Sequence, residues 1–491
     1  MDRASFTTPL ATLVFLAGTA LLPSPVHADE QEGSNDKGPG VKKEDLRYDG
    51  KPFSYWQSYL LTELKAERRI DAIWAMGAFG SRGFAQEAAQ VLIEALKEFE
   101  NLTYSEKPTT PDERVMKALH EAIVKIGPDA AMVLVKQLDD VKVRALCGNI
   151  YVKRQPTGRV STTSVPALIE KMLVSDKETR GVATLILGNF INDEGIAKAF
   201  AEGTKDRKTA NAIATDLAQN YSYYPFVVPM LEILGPQARP ALSLLVQASL
   251  GDEKNDSTVA SAKRTLAKIK PTPAELLPGL IQSMWNDDFQ AEAVKRIVEI
   301  GKPAIPALLE AANARVDDGG WSYSKARLAQ IDALMEIGAD KKKILGAIKK
   351  ILKSVKDVSL RLQMVSRFLK LEEDPANIVP ILTTELQRRL EEGFSYSLAS
   401  QESESRTPFH HELIIALGKQ GSKAKSAVPP LLKTYEKTDE STHLLIIQTW
   451  GKIGPDAKEA IPFLNGLLQS ENAQIRGAAA RAIEAITQSK R

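Results

Sequence analysis

Cysteine is nearly absent from this 491-residue chain, Cys147 being the single instance. One thiol makes no intrachain disulfide and no cysteine-based zinc cluster. Histidine is scarce too, at five residues, which leaves little material for a histidine-rich metal centre. Charge of one sign is not in excess: 64 Lys plus Arg face 62 Asp plus Glu, a formal net of +2. That balance argues against nucleic-acid binding through overall charge. Sustained alternation of apolar and polar residues is missing, so no strands are needed. Also missing are a Gly-x-Ser-x-Gly elbow, a phosphate-binding loop and a His-Glu-x-x-His pair. Gly77 to Gly83 (GAFGSRG) is glycine-rich but spaced wrongly for a dinucleotide site. No apolar run reaches the roughly 20 residues that a membrane-spanning helix requires.

The apolar run Leu10 to Leu22 has 13 residues, stops before Pro23 and Pro25, and precedes Val26-His27-Ala28 and acidic Asp29. Residues 1–28 therefore read as a secretory signal peptide cut after Ala28. The expected location is exported, periplasmic or extracellular. Residues 29–48 (DEQEGSNDKGPGVKKEDLRY) are polar and charged and read as a disordered linker. An exported chain without a disulfide is held together by burial alone. This favours one continuous core over small stapled modules.

What the chain does have is self-similarity. One phrase recurs as Ile126-Gly127-Pro128-Asp129-Ala130 and Ile453-Gly454-Pro455-Asp456-Ala457, with looser copies at Gly235, Gly301, Gly338 and Gly418. A second, Pro-x-Leu, starts at Pro166, Pro240, Pro278, Pro306, Pro380, Pro430 and Pro462. Pro166 to Pro240 and Pro306 to Pro380 both span 74 residues, two units of about 37. A third phrase pairs Asp140 with Arg144, Asp176 with Arg180, Asp357 with Arg361 and Asn472 with Arg476, each at i,i+4. Glycine past a helix end, proline at the next start and Asp or Asn as N-cap form a helix–turn–helix punctuation. Between these marks the apolar period is helical, as in Ile344, Leu345, Ile348, Ile351, Leu352 and Val355.

A two-helix unit cannot cover both apolar faces by itself, whereas stacked copies can. With these phrases the chain resembles the HEAT repeats, especially the PBS-lyase HEAT-like type of exported bacterial proteins. Ala460-Ile461-Pro462-Phe463-Leu464 matches the first half of that pattern, and Asn472 to Ala480 (NAQIRGAAA) the second. The resemblance implies an all-α fold, a right-handed α–α superhelix of about eleven helical pairs over residues 49–491. Irregularities are expected near 145–163 and 203–230. It also implies that the Asp…Arg pairs form a ladder between repeats.

Chemistry is not evident. His120-Glu121 and His411-Glu412 are two dipeptides where a dinuclear iron hydroxylase of this fold uses four. His410-His411 reads as a helix start with one ring exposed. Cys147 reads as an inert core thiol. Neither catalytic residues, metal ligands nor cofactors are assigned. Three long connections, near 100–111, 313–324 and 391–408, would emerge along one edge of a solenoid. Two carry near-copies, Trp321-Ser322-Tyr323-Ser324 and Phe394-Ser395-Tyr396-Ser397. Trp321, Tyr323, Phe394 and Tyr396 are thus candidate partner contacts, with plugs over the helix ends as the other reading. Residues 337–356 hold seven lysines against one aspartate. Lys342, Lys349, Lys353 and Lys356 are candidate anion contacts on one helix face. The expected function is an exported, non-enzymatic scaffold that binds a protein or cell-envelope component through edge loops and the concave face. The alternative is an anion-binding module for envelope polymer or a membrane surface.

Overall fold

Proline and glycine mark the joints of the structure. A computed structural model describes residues 45–99, 102, 105–153, 162–174, 176–220, 224–251, 256–314, 321–392 and 408–488. Gly127 and Gly454 follow helices Pro111–Ile126 and Glu440–Ile453 with φ of 81° and 70°. Only glycine enters that backbone region without a Cβ penalty. Each opens a short 3-10 turn, Gly127–Ala130 or Gly454–Ala460, that carries the chain into the next helix. Pro306 and Pro462 then stand in the first turn of Ile305–Asn313 and Ile461–Leu467, where no backbone N–H is required. Gly418 departs from this series. It lies inside helix Phe409–Lys419, and the positive φ belongs to Gly421. A Cβ on Gly418 would come 3.1 Å from Thr449 Oγ1, so this glycine serves close helix approach and not a turn.

Among the described residues the α-helices group as eleven pairs and one triplet. First helices of successive units pack on one another, as do second helices: Ala66–Phe79 on Pro111–Ile126, and Phe409–Lys419 on Glu440–Ile453 and then Ala473–Thr487. The triplet is Glu194–Gly203, Arg207–Asn220 and Tyr224–Leu234. At 203–230, where an irregularity of the repeat is expected, an extra helix enters the row of first helices, and residues 221–223 lie outside the described residues. Near 145–163, helix Arg144–Lys153 is ordinary, and 154–161 lie outside the described residues.

The boundary placed at 49 moves. Arg47–Tyr48 pair antiparallel with Lys51–Pro52. Trp56 Nε1 donates to the Tyr48 carbonyl at 2.9 Å, and the two rings meet edge-on at 5.7 Å. Tyr48 is therefore part of the fold, because a buried indole N–H needs an acceptor. The rest of the expected linker and signal peptide, residues 1–44, lies outside the described residues.

Burial follows the helical stripes. Helix Lys341–Ser354 buries Ile344, Leu345, Ala347, Ile348, Ile351 and Leu352. The core divides into two clusters, one over Phe53 to Ile269 and one over Val246 to Ile486. They meet on helix Leu242–Ala248, where Leu242, Leu244 and Leu245 serve the first and Val246 the second.

The ladder runs between units in the first half. Lys97 Nζ lies 3.1 Å from Asp140, Arg144 Nη2 is 2.9 Å from Asp176, and Arg180 Nε is 3.0 Å from Asp216. Asp176 also caps its own helix by accepting from the Thr179 amide. Later rungs differ: Arg476 donates to the carbonyls of Ser470 and Glu471. Adding a Cβ tests the helix stacking directly. In Gly188→Ala it would lie 2.7 Å from Phe226 Cβ on the neighbouring helix Tyr224–Leu234. We expect a loss of about 1–3 kcal/mol in urea unfolding. Gly466→Ala, which meets nothing within 4 Å on helix Ile461–Leu467, should instead gain up to about 1 kcal/mol.

Candidate interaction edge

Antiparallel helix pairs give the array two edges. One holds the turns from second to first helices, closed by the Gly-Pro phrases. The other holds the connections within a unit, where first helices end and second helices start. Side chains on this second edge behave differently from the rest of the surface. Six large apolar residues stand exposed among the described residues, and five lie here: Leu61, Leu64, Val141, Val174 and Leu468. Leu64 is 91 % exposed, Val141 77 % and Val174 74 %. They belong to the turns and helix ends of the first, third, fourth and last units. The sixth, Tyr55, stacks on Tyr59 in the first helix, with the Lys51 ammonium 5.3 Å from its ring centre. Single exposed leucines are common, but all five of these leucines and valines lie on one edge.

Two helix ends next to the sequence-selected aromatics in the chain lie on the same edge. Helix Trp321–Ile337 starts there, and helix Pro375–Glu392 ends there. Phe394 and Tyr396 lie outside the described residues, as do the side chains of Trp321 and Tyr323. The four lysines are not gathered into one site. Lys349 is half-buried with its Nζ 5.5 Å from the Phe368 ring centre, so it leaves the expected anion face. Neighbouring Lys350 reaches across to the Asn313 carbonyl at 2.8 Å. Lys342 is exposed at one end of the helix, whereas Lys353 and Lys356 are exposed at the other. The cause is local: Phe368 of the following helix offers its face to the ammonium, worth about 0.5–2 kcal/mol.

Sequence reasoning missed a buried charged cluster beneath the edge. Arg361 is 1 % exposed and binds Glu392 in bidentate fashion at 2.8 and 2.6 Å. Its Nε stands 3.4 Å from Glu385, itself only 3 % exposed. Arg388 and Arg389 flank the pair. Burial raises the Glu385 carboxyl, while the Arg361 hydrogen bond lowers that of Glu392. The i,i+4 phrase marks Arg361, but its partners Glu385 and Glu392 sit on the next unit's helix and carry no signal of their own in the sequence.

Elsewhere chemistry is muted. Cys147 is fully buried and its thiol is pushed up to about 12, mainly by burial, so it is a poor nucleophile. Among the described residues no group of three or more His, Cys, Asp or Glu is placed to hold a metal. Neither His410 nor His411 is the exposed ring expected: the first is buried and the second half-buried. No described helix is long and apolar enough to cross a membrane.

Residues 68–98 match the family model described as PBS lyase HEAT-like repeat, spanning the second helix of the first unit and the first helix of the next. That stretch is a HEAT-like repeat. Similar solved structures include the karyopherin Kap121p bound to the SUMO protease Ulp1p, at 12 % identity and TM-score 0.29, over 88 % of this chain and 62 % of that one. Another comes from work on the interaction between cadherin and β-catenin, at 14 % identity and TM-score 0.28, over 88 % of this chain and 100 % of that one. A third is SYS-1, at 10 % identity and TM-score 0.20, over 89 % and 99 %. The chain spans 62 % of the Kap121p chain. At such TM-scores the likenesses say nothing of its ligands. No curated protein matches it.

The charged cluster gives a stability test. Arg361→Met strands Glu385 and Glu392 without their guanidinium. We expect a loss of about 3–5 kcal/mol in denaturant unfolding, partly recovered by adding Glu385→Leu.

Proposed function

We propose that this protein is a non-enzymatic scaffold that binds another protein along the edge bearing the within-unit connections. The observation that carries this reading is the confinement of exposed leucine and valine side chains to that edge. Stacked helical repeats commonly act as interaction scaffolds, and their rigid surface needs little ordering on binding. Units are spaced by one helix-packing distance, roughly 10 Å. A partner running along the edge therefore meets an apolar point at intervals of about 10 Å in the third and fourth units, beside the Arg144–Asp176 ion pair. Trp321, Tyr323, Phe394 and Tyr396 would extend this surface into the later units. The apolar run Leu10 to Leu22 supports export, so the partner is a protein or envelope component met beyond the cytoplasmic membrane.

The combined variant Leu64→Asp, Val141→Asp, Val174→Asp tests this. These side chains make few contacts in the fold, so unfolding midpoints should stay within about 0.5 kcal/mol of the parent. Crosslinking in envelope fractions, followed by recovery of the protein, should lose its partner band with the variant. Retention of the same band by the variant excludes this edge as the contact.

A further inference from the structure

The pair His410 and His411 meets a single hydroxyl on the next unit. His411 Nε2 is 2.7 Å and His410 Nε2 3.3 Å from Thr442 Oγ1. Thr442 in turn donates its one hydroxyl proton to Asp439 Oδ1 at 2.8 Å. Its oxygen then has only lone pairs to offer, so both rings must present an Nε2–H. With Nε2 protonated, a neutral ring carries its lone pair on Nδ1, and any further proton brings a full charge. For His410 that charge would form in a site only 8 % exposed, with its ring centre 4.6 Å from that of His411. The charged groups around it come from three helices. Arg389 faces it from Pro375–Glu392, Asp439 from the cap of Glu440–Ile453, and His411 and Glu412 share its own helix.

We propose that the joint between helices Phe409–Lys419 and Glu440–Ile453 is an acid-sensitive latch, closed while both histidines are neutral and released when His410 takes a proton. The inference is independent of which partner the edge binds. Burial holds His410 down to about 4, and His411 and Arg389 push the same way. His411 is lowered less, burial being opposed by Asp439. Asp439, held near 2 chiefly by the Thr442 amide, keeps its charge throughout. The sign follows. Above pH about 6.5 the ring is neutral whether the joint is open or closed, and the latch has its full strength. Between 6.5 and 4 only the opened form binds the proton, so the latch weakens as pH falls.

Hydrogen exchange on the full chain tests this, with rates corrected for intrinsic pH dependence. Local opening of both helices should increase up to about tenfold per pH unit between about pH 6 and 4.5, relative to helix Pro111–Ile126. His410→Gln with His411→Gln keeps an N–H for Thr442 but takes up no proton, and the excess should vanish. An equal acid response in the variant overturns the proposal, as does no excess in the parent. Should the variant fail to fold, the NMR titration of the parent decides. A His410 midpoint near 6.5 overturns the latch, and one well below 6 supports it.

Discussion

No unit of this protein can hide its own apolar faces. Each helix buries a stripe such as Ile344, Ile348 and Ile351 only because the units on either side cover what its partner helix leaves open. Everything else in the architecture follows from that dependence. Contacts are made between neighbours, the turns must be short enough to keep successive helices in register, and stability is shared along the chain. Where the two core clusters meet on Leu242–Ala248, a single helix supplies side chains to both.

The two edges divide the work. Tight glycine and proline turns close one of them, where a left-handed residue and a restrained φ leave no freedom for variation. The other edge combines polar structure with exposed apolar points. Asp176 there caps its own helix and binds Arg144 of the preceding unit, so the same carboxylate sets a helix start and an inter-unit spacing. Because those caps are already satisfied, the within-unit connections can differ in length without loosening the helices they join.

Polar burial increases toward the later units. Arg361, Glu385 and Arg389 are packed with the helices, as are His410, in the same unit as Glu385, and Thr442, in the next. Such groups cost more to desolvate than they return unless every partner is in place, so they specify register more than they stabilise. They also make this part of the array the most responsive to pH. The first units are tied by Lys97, Arg144 and Arg180 to aspartates.

Much of the fold was readable beforehand because its signals are local. The turn at Gly127, the proline start at Pro306 and the cap at Asp176 each depend on a few consecutive residues and on backbone sterics. The helical period of Lys341–Ser354 needs no knowledge of its neighbours either. By contrast, Gly418 and Gly421 could not be told apart from the phrase alone, since one answers to a helix 31 residues away. Lys349, which reads as a surface cation, likewise takes its place over a ring of the following helix, Phe368. Glu385 beside Arg361, the two histidines on Thr442 and the common edge of Leu64, Val141 and Val174 exist only once units are stacked. Local chain chemistry determined the repeating unit. Packing between units, which no short window of sequence contains, decided which charges are buried and which apolar side chains face outward.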